Sequence, residues 1–206
     1  MERSRAGEAG QLHTVGTGAR ASVKLSVVIV FSALITASVV FSIPLPPPVY
    51  EITWSPAIIM VLAVLIDVPT AAAATGIGGF IGEAYNVAFK GGGSPIYPFG
   101  MVWARVPEVL IIAWARNRGT KALVAAMVGA TIFETLAFFF SDWFFYAYGL
   151  FSYSVPAGQS PLGLASFDFA TMVDLVYIPA ALAIIRAAAP AFRRLGFLQY
   201  RGAAEH

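Results

Sequence analysis

Six apolar stretches fill most of this chain, and its basic residues gather in alternate gaps between them, so a lipid bilayer is the solvent its fold must answer to. The stretches run roughly Val23 to Ile43, Trp54 to Ile66, Thr70 to Phe89, Tyr97 to Ala115, Ala122 to Phe140 and Ala165 to Ala188. Most approach the ~20 residues a spanning helix needs; the second is short. With the N-terminus in the cytoplasm, Arg3, Arg5, Arg20, Lys24, Arg116, Arg118, Lys121, Arg186, Arg193, Arg194 and Arg201 all lie inside, eleven of the 13 Lys and Arg residues. Lys90 alone falls in an outer loop. The positive-inside rule therefore predicts an all-α, polytopic protein of the cell membrane, with six transmembrane helices and both termini cytoplasmic.

Composition fits, since 58% of residues are hydrophobic and 12% charged, with a mean hydropathy of +0.75, far from ordinary soluble domains. The expected organisation is a disordered cytoplasmic tail over 1–21, one membrane domain over 22–190 and a cytoplasmic C-terminal tail over 191–206. The net charge of +2 and pI near 9.0 arise in the cytoplasmic fringe and suit anionic lipid, not nucleic acid. With no cysteine in the chain, disulfides and thiol catalysis are excluded.

The loops differ in character. Pro44, Pro46, Pro47 and Pro48 cannot continue a helix and favour extended geometry, giving a stiff outer segment through Tyr50 and Glu51, read either as a substrate gate or as a helix stop. Asp67-Val68-Pro69 is so tight a turn that the flanking spans must be antiparallel, with Pro69 in the first turn of the new helix. Gly91, Gly92 and Gly93 form another outer connection. The longest, about Ser141 to Leu164, carries Asp142, Trp143, Tyr146, Tyr148 and Tyr153 without a basic residue, as an interfacial aromatic belt does. Ala33 and Ala37 make a small-xxx-small surface on the first span, and Gly76, Gly78, Gly79 and Gly82 make a broader one on the third, read as internal packing.

Ionisable residues at membrane depth are the candidates for function, because each costs several kcal/mol unless it faces protein or water. Glu83, Arg105, Glu108, Glu134, Asp168 and Asp174 lie within predicted spans. Arg105 and Glu108, three apart, can pair along one helix face. The remaining carboxylates outnumber the cations and call for a positive ligand, polar donors or protonation. Trp54, Tyr85, Asn86, Tyr97, Trp103 and Tyr177 are candidate stacking or hydrogen-bonding partners, and an aromatic face can hold a cation. Enzymatic patterns are poorly served. Both histidines, His13 and His206, sit in the tails, so no histidine base or metal cluster lies at membrane depth, and no Gly-x-Ser-x-Gly elbow occurs. No cofactor or metal is expected. Six spans without evident internal repetition also fall short of a complete secondary transporter, so the chain reads as one part of a machine.

At this point the residues resemble a family, the substrate-binding S component of energy-coupling factor (ECF) vitamin transporters. Ala33-Leu34-Ile35-Thr36-Ala37 is similar to the alanine motif on that family's first helix. Ser55-Pro56-Ala57, Asp67-Val68-Pro69-Thr70-Ala71-Ala72-Ala73 and Gly78-Gly79-Phe80-Ile81-Gly82-Glu83 resemble its span-two to span-three hairpin. The resemblance covers about Val23 to Ala188. It implies a non-enzymatic solute-binding subunit whose ligand sits at the outer ends of the helices. Its partners would be a transmembrane coupling subunit, docked at Ala33 and Ala37, and two ATPase subunits, since this chain has no Walker motif. The expected substrate residues are Trp54, Glu83, Asn86, Tyr97, Arg105, Glu134, Asp168 and Asp174, with Tyr50 and Glu51 as the gate. The chain lacks the N-terminal histidines of the nickel and cobalt members. Excess acid favours a cationic, thiamine-like solute over a carboxylate such as biotin. The competing reading is a stand-alone intramembrane enzyme or secondary carrier that uses the buried carboxylates.

Overall fold

The computed structural model describes residues 2–44, 51–90, 94–150 and 155–194, and the side chains of residues 21–43, 52–90, 94–150 and 155–193. It is all-helical apart from one two-residue pairing. Helix α1 spans Glu2–Val40, α2 Ser55–Leu65, α3 Val68–Tyr85, α4 Tyr97–Ala115, α5 Thr120–Tyr148, α6 Pro161–Ala165 and α7 Tyr177–Arg194. A π-helical turn, Asn86–Lys90, extends α3, and a 3-10 helix, Ser166–Val176, joins α6 to α7. Strands β1, Ile43–Pro44, and β2, Glu51–Ile52, pair antiparallel, Ile43 opposite Ile52 and Pro44 opposite Glu51.

Among the described residues, four helical segments are long and apolar enough to cross a membrane: Ala21–Val40, Tyr97–Ala115, Thr120–Tyr148 and Pro161–Arg193. The second predicted span becomes α2, apolar but only 11 residues, or ~16 Å at 1.5 Å per residue against a ~30 Å hydrocarbon core. The third becomes α3 with its π-helical turn. The fourth coincides with α4. α1 is helical from Glu2, through the segment read as a tail. The fifth span is extended: the loop expected from Ser141 does not begin there, because α5 continues to Tyr148 and closes on Gly149, whose φ of 58° is left-handed. Ser141 and Asp142 stay helical because protein satisfies them. Ser141 Oγ donates to the Ala137 carbonyl and accepts from Trp103 Nε1 at 3.1 Å, and Asp142 is buried. Pro46, Pro47, Pro48, Tyr50, Gly91, Gly92, Gly93, Tyr153 and Arg201 lie outside the described residues.

The packing follows from small residues. Along α3, Gly78 and Gly82 face α1, and a Cβ on Gly78 would fall 2.7 Å from the Ser32 carbonyl oxygen and 2.8 Å from Ile35 Cβ. One on Gly82 would fall 2.8 Å from Val39 Cβ. Ser32 and Thr36 then donate across the contact to the carbonyls of Ala74 (3.1 Å) and Gly78 (3.0 Å). Gly76 and Gly79 face α4 instead, against Val106 and Met101. One glycine-rich helix thereby lets two neighbours approach closely, and that close approach supplies packing contact energy. The main core joins Ile35, Leu62, Ile66, Ile112, Met127 and Ile185 from α1, α2, α4, α5 and α7. Outside it, Leu25, Ile29, Phe41, Phe89 and Trp114 are each at least 60% exposed. So much bare apolar surface is compatible with insertion in a membrane.

The two ends of the bundle differ in polarity. At one, Lys24 pairs with Asp67 at 3.2 Å, Asp67 caps α3 through the Thr70 backbone and hydroxyl, and Arg116 donates to the Ile66 carbonyl at 2.9 Å. Arg118 stacks over Trp114 there. Burial lowers the Arg116 guanidinium somewhat, and Asp67 opposes that effect. At the other end, Lys90 donates to the Val40 carbonyl and so satisfies an orphan acceptor at the C-terminus of α1.

Candidate functional site

Four ionisable side chains on three elements converge inside the bundle. Arg105, on α4, lies 2.8 Å from Glu134 on α5 (Nη2 to Oε1), 3.4 Å from Asp174 on the 3-10 helix (Nη1 to Oδ2), and 3.6 Å from Glu108 one turn along α4 (Nη1 to Oε2). All are buried, and Glu108 and Glu134 have no exposed surface at all. One guanidinium faces three carboxyl groups. The contact with Asp174 is a hydrogen bond, whereas the closer one with Glu134 is an ion pair in which the N–H does not point at the oxygen. Both oxygens of Glu108, both of Glu134 and Arg105 Nε make no hydrogen bond. Polar atoms left so in a low-dielectric interior are costly, and they are the natural attachment points for something else.

The local folding of the third element explains how Asp174 arrives. In an α-helix at ~100° per residue, Asp168 and Tyr177 would lie roughly half a turn apart. The 3-10 helix has ~3 residues per turn, so side chains three apart eclipse. Asp168, Thr171, Asp174 and Tyr177 thus form one column. Thr171 meets Thr135 of α5 hydroxyl to hydroxyl at 2.6 Å, Asp174 meets Arg105, and Tyr177 lies beside Asp174. The aromatic end of the column is Trp54, whose ring centroid is 5.5 Å from that of Tyr177 at a tilt of 58°. Trp54 is 57% exposed while Tyr177 is buried, so this pair links the ion cluster to the surface.

The remaining expected residues sit elsewhere. Glu83 is not among the carboxylates acting on Arg105, which are Glu134, Asp174 and Glu108; it accepts instead from Asn86 Nδ2 at 3.4 Å, three residues along the chain. Tyr97 stacks on Phe138 with centroids 6.1 Å apart and rings 8° from parallel. Asp168 neighbours Asp142, not the cluster, and its buried Oδ2 makes no hydrogen bond. Tyr85 packs on Phe89. Thr135 and Thr171 escaped the sequence reading as groups beside the cluster; the i, i+3 spacing of Asp168, Thr171 and Asp174 was the available signal. For the gate, Glu51 pairs through its backbone with Pro44, and Tyr50 lies outside the described residues. Ala33 and Ala37 are exposed. They line an apolar groove of about 640 Å³ with Leu25, Ile29, Ile77 and Ile81, one step around α1 from the face that meets α3.

No protein family, curated protein or solved structure matches this chain.

Proposed function

We propose that this protein is the membrane-embedded solute-binding subunit of an ATP-driven importer of the ECF type, and that it takes a small, water-soluble, cationic solute at the buried cluster around Arg105. The observation that carries this reading is the charge balance there: three carboxyl groups close on one guanidinium, with oxygens on Glu108 and Glu134 left without hydrogen bonds. A cationic ligand supplies the missing charge and donors in a site where both are worth most. Trp54 and Tyr177 offer aromatic faces for the body of such a solute.

In this reading the chain crosses the membrane six times with both termini inside. α2 stops short of the outer surface, so Trp54 and the strand pairing above it lie at the mouth. The cluster is enclosed as it stands, so entry requires the Trp54–Tyr177 pair beside it to move. The exposed Ala33 and Ala37 on an apolar groove suit close approach of a coupling subunit's helix, and two ATPases would act through that subunit. The test is gentle purification of the tagged chain from its own cells, followed by native mass spectrometry. A co-purified coupling subunit, two ATPases and a retained small cation are expected; a chain that emerges alone and hydrolyses or modifies a substrate overturns the reading.

A further inference from the structure

The cluster poses a question that its ion pairs leave open. Fully ionised, three carboxylates and one guanidinium sum to −2, held where Glu108 and Glu134 have no exposed surface and Arg105 almost none. The groups that face one another there are Arg105 and Glu108 from α4, Glu134 from α5, Asp174 from the 3-10 helix and Tyr177 from α7. α2 brings only Trp54, which carries no charge. Asp168 cannot compensate, because it is itself an acid and faces another, Asp142. Among the described residues Arg105 is therefore the one cation acting on this group, and it cannot neutralise three anions. A net charge of −2 enclosed in a low-dielectric bundle is not tolerated when protons are available.

We propose that the empty cluster holds a proton among Glu108, Glu134 and Asp174, and that the solute bound there is an organic monocation that enters as this proton leaves. The proposal rests on the cluster being the solute site. The exchange balances. A carboxylic O–H bond breaks, its proton passes to water, and the carboxylate left behind pairs with the incoming cation, so the charge of the enclosed site is unchanged. Glu108 Oε1 and Glu134 Oε2 fit the part of proton carrier in the empty state, since neither accepts a hydrogen bond nor takes part in the ion pairs with Arg105. The aromatic pair Trp54 and Tyr177, next to Asp174, favours a flat or quaternary cation over a compact inorganic one.

Two measurements on the full chain in lipid nanodiscs test this. Infrared spectra of the empty protein at neutral pH should show a protonated carboxylic acid band that persists in Asp168→Asn and weakens in at least one of Glu108→Gln, Glu134→Gln and Asp174→Asn. A band absent from the wild type, or untouched by all three cluster variants, overturns the proposal. Calorimetric titration with thiamine as the probe should give a Kd that tightens about tenfold per unit rise in pH, as one-for-one competition with a proton requires. A pH-independent Kd overturns the exchange but leaves the cation site standing. Failure of thiamine and of tetramethylammonium to bind at any pH removes the site reading, and the exchange with it.

Discussion

Arg105 Nη2 and Glu134 Oε1 meet at 2.8 Å between α4 and α5, both side chains buried, and this contact joins the two helices at the level of the cluster. Its partners are unequal. Removing Arg105 leaves three enclosed carboxyl groups without a cation, whereas removing the Glu134 charge leaves Arg105 two others. Arg105→Met should therefore destabilise the folded protein by roughly 3–5 kcal/mol, and Glu134→Gln by much less. Thermal unfolding in mild detergent measures both, and equal losses would refute the asymmetry.

The same residues separate in binding. Glu134→Gln removes a charge that faces the proposed solute, so affinity for a cationic probe should fall by tenfold or more. Glu83→Gln, at a position held by Asn86 and outside the group acting on Arg105, should change it by less than threefold. Titration of the two purified variants decides, and a larger effect at Glu83 would move the site toward the π-helical turn.

Glycine positions on α3 make a paired test of helix packing. A methyl group at Gly78 meets the Ser32 carbonyl and Ile35 Cβ inside 3 Å, while at Gly79 it meets Met101 Cβ at 3.4 Å, an ordinary contact. Gly78→Ala should cost about 1–3 kcal/mol. Gly79→Ala should be near neutral, and differential thermal stability reads the contrast.

Ala33→Trp or Ala37→Trp puts bulk into the exposed groove beside the α1–α3 contact, away from the Arg105 cluster. Probe binding by the isolated chain should stay within twofold of wild type, while assembly with the proposed coupling subunit, and the ATP-driven uptake proposed to depend on it, should be lost. Parallel loss of binding would make the groove a structural feature of the chain.

Deleting residues 45–50 tests the expectation, read from the sequence, that the segment around Tyr50 and Glu51 is a gate. As a gate it lengthens residence more than it hinders entry, so the deletion should raise the dissociation rate several-fold with a smaller change in association. Stopped-flow Trp54 fluorescence measures both, and an unchanged dissociation rate makes the segment a connector.

How much of this was legible in the sequence follows from the physics that each feature obeys. The helices were visible because lipid demands long apolar runs, and α4 begins and ends where its run does. The end of α5 was not, because Ser141 and Asp142 look like loop residues until Trp103 and neighbouring helices satisfy them. Buried ions announced themselves by being charged within apolar runs. Which of them meet depends on helix rotation, and for Asp174 on a 3-10 geometry that apolar periodicity does not encode. Glu83 and Asp168 were as conspicuous as Glu134 in the sequence, yet they found other neighbours.

The eleven residues Ser166–Val176 also have a mechanical meaning. At ~2.0 Å rise per residue they reach ~22 Å, where an α-helix would cover ~16 Å. Rewinding this segment would draw α6 and α7 together by about a turn's height and swing Asp174 off the line that holds Arg105. Ion pairing at one point on the column is thus coupled to the length of this segment, as a latch is to a spring.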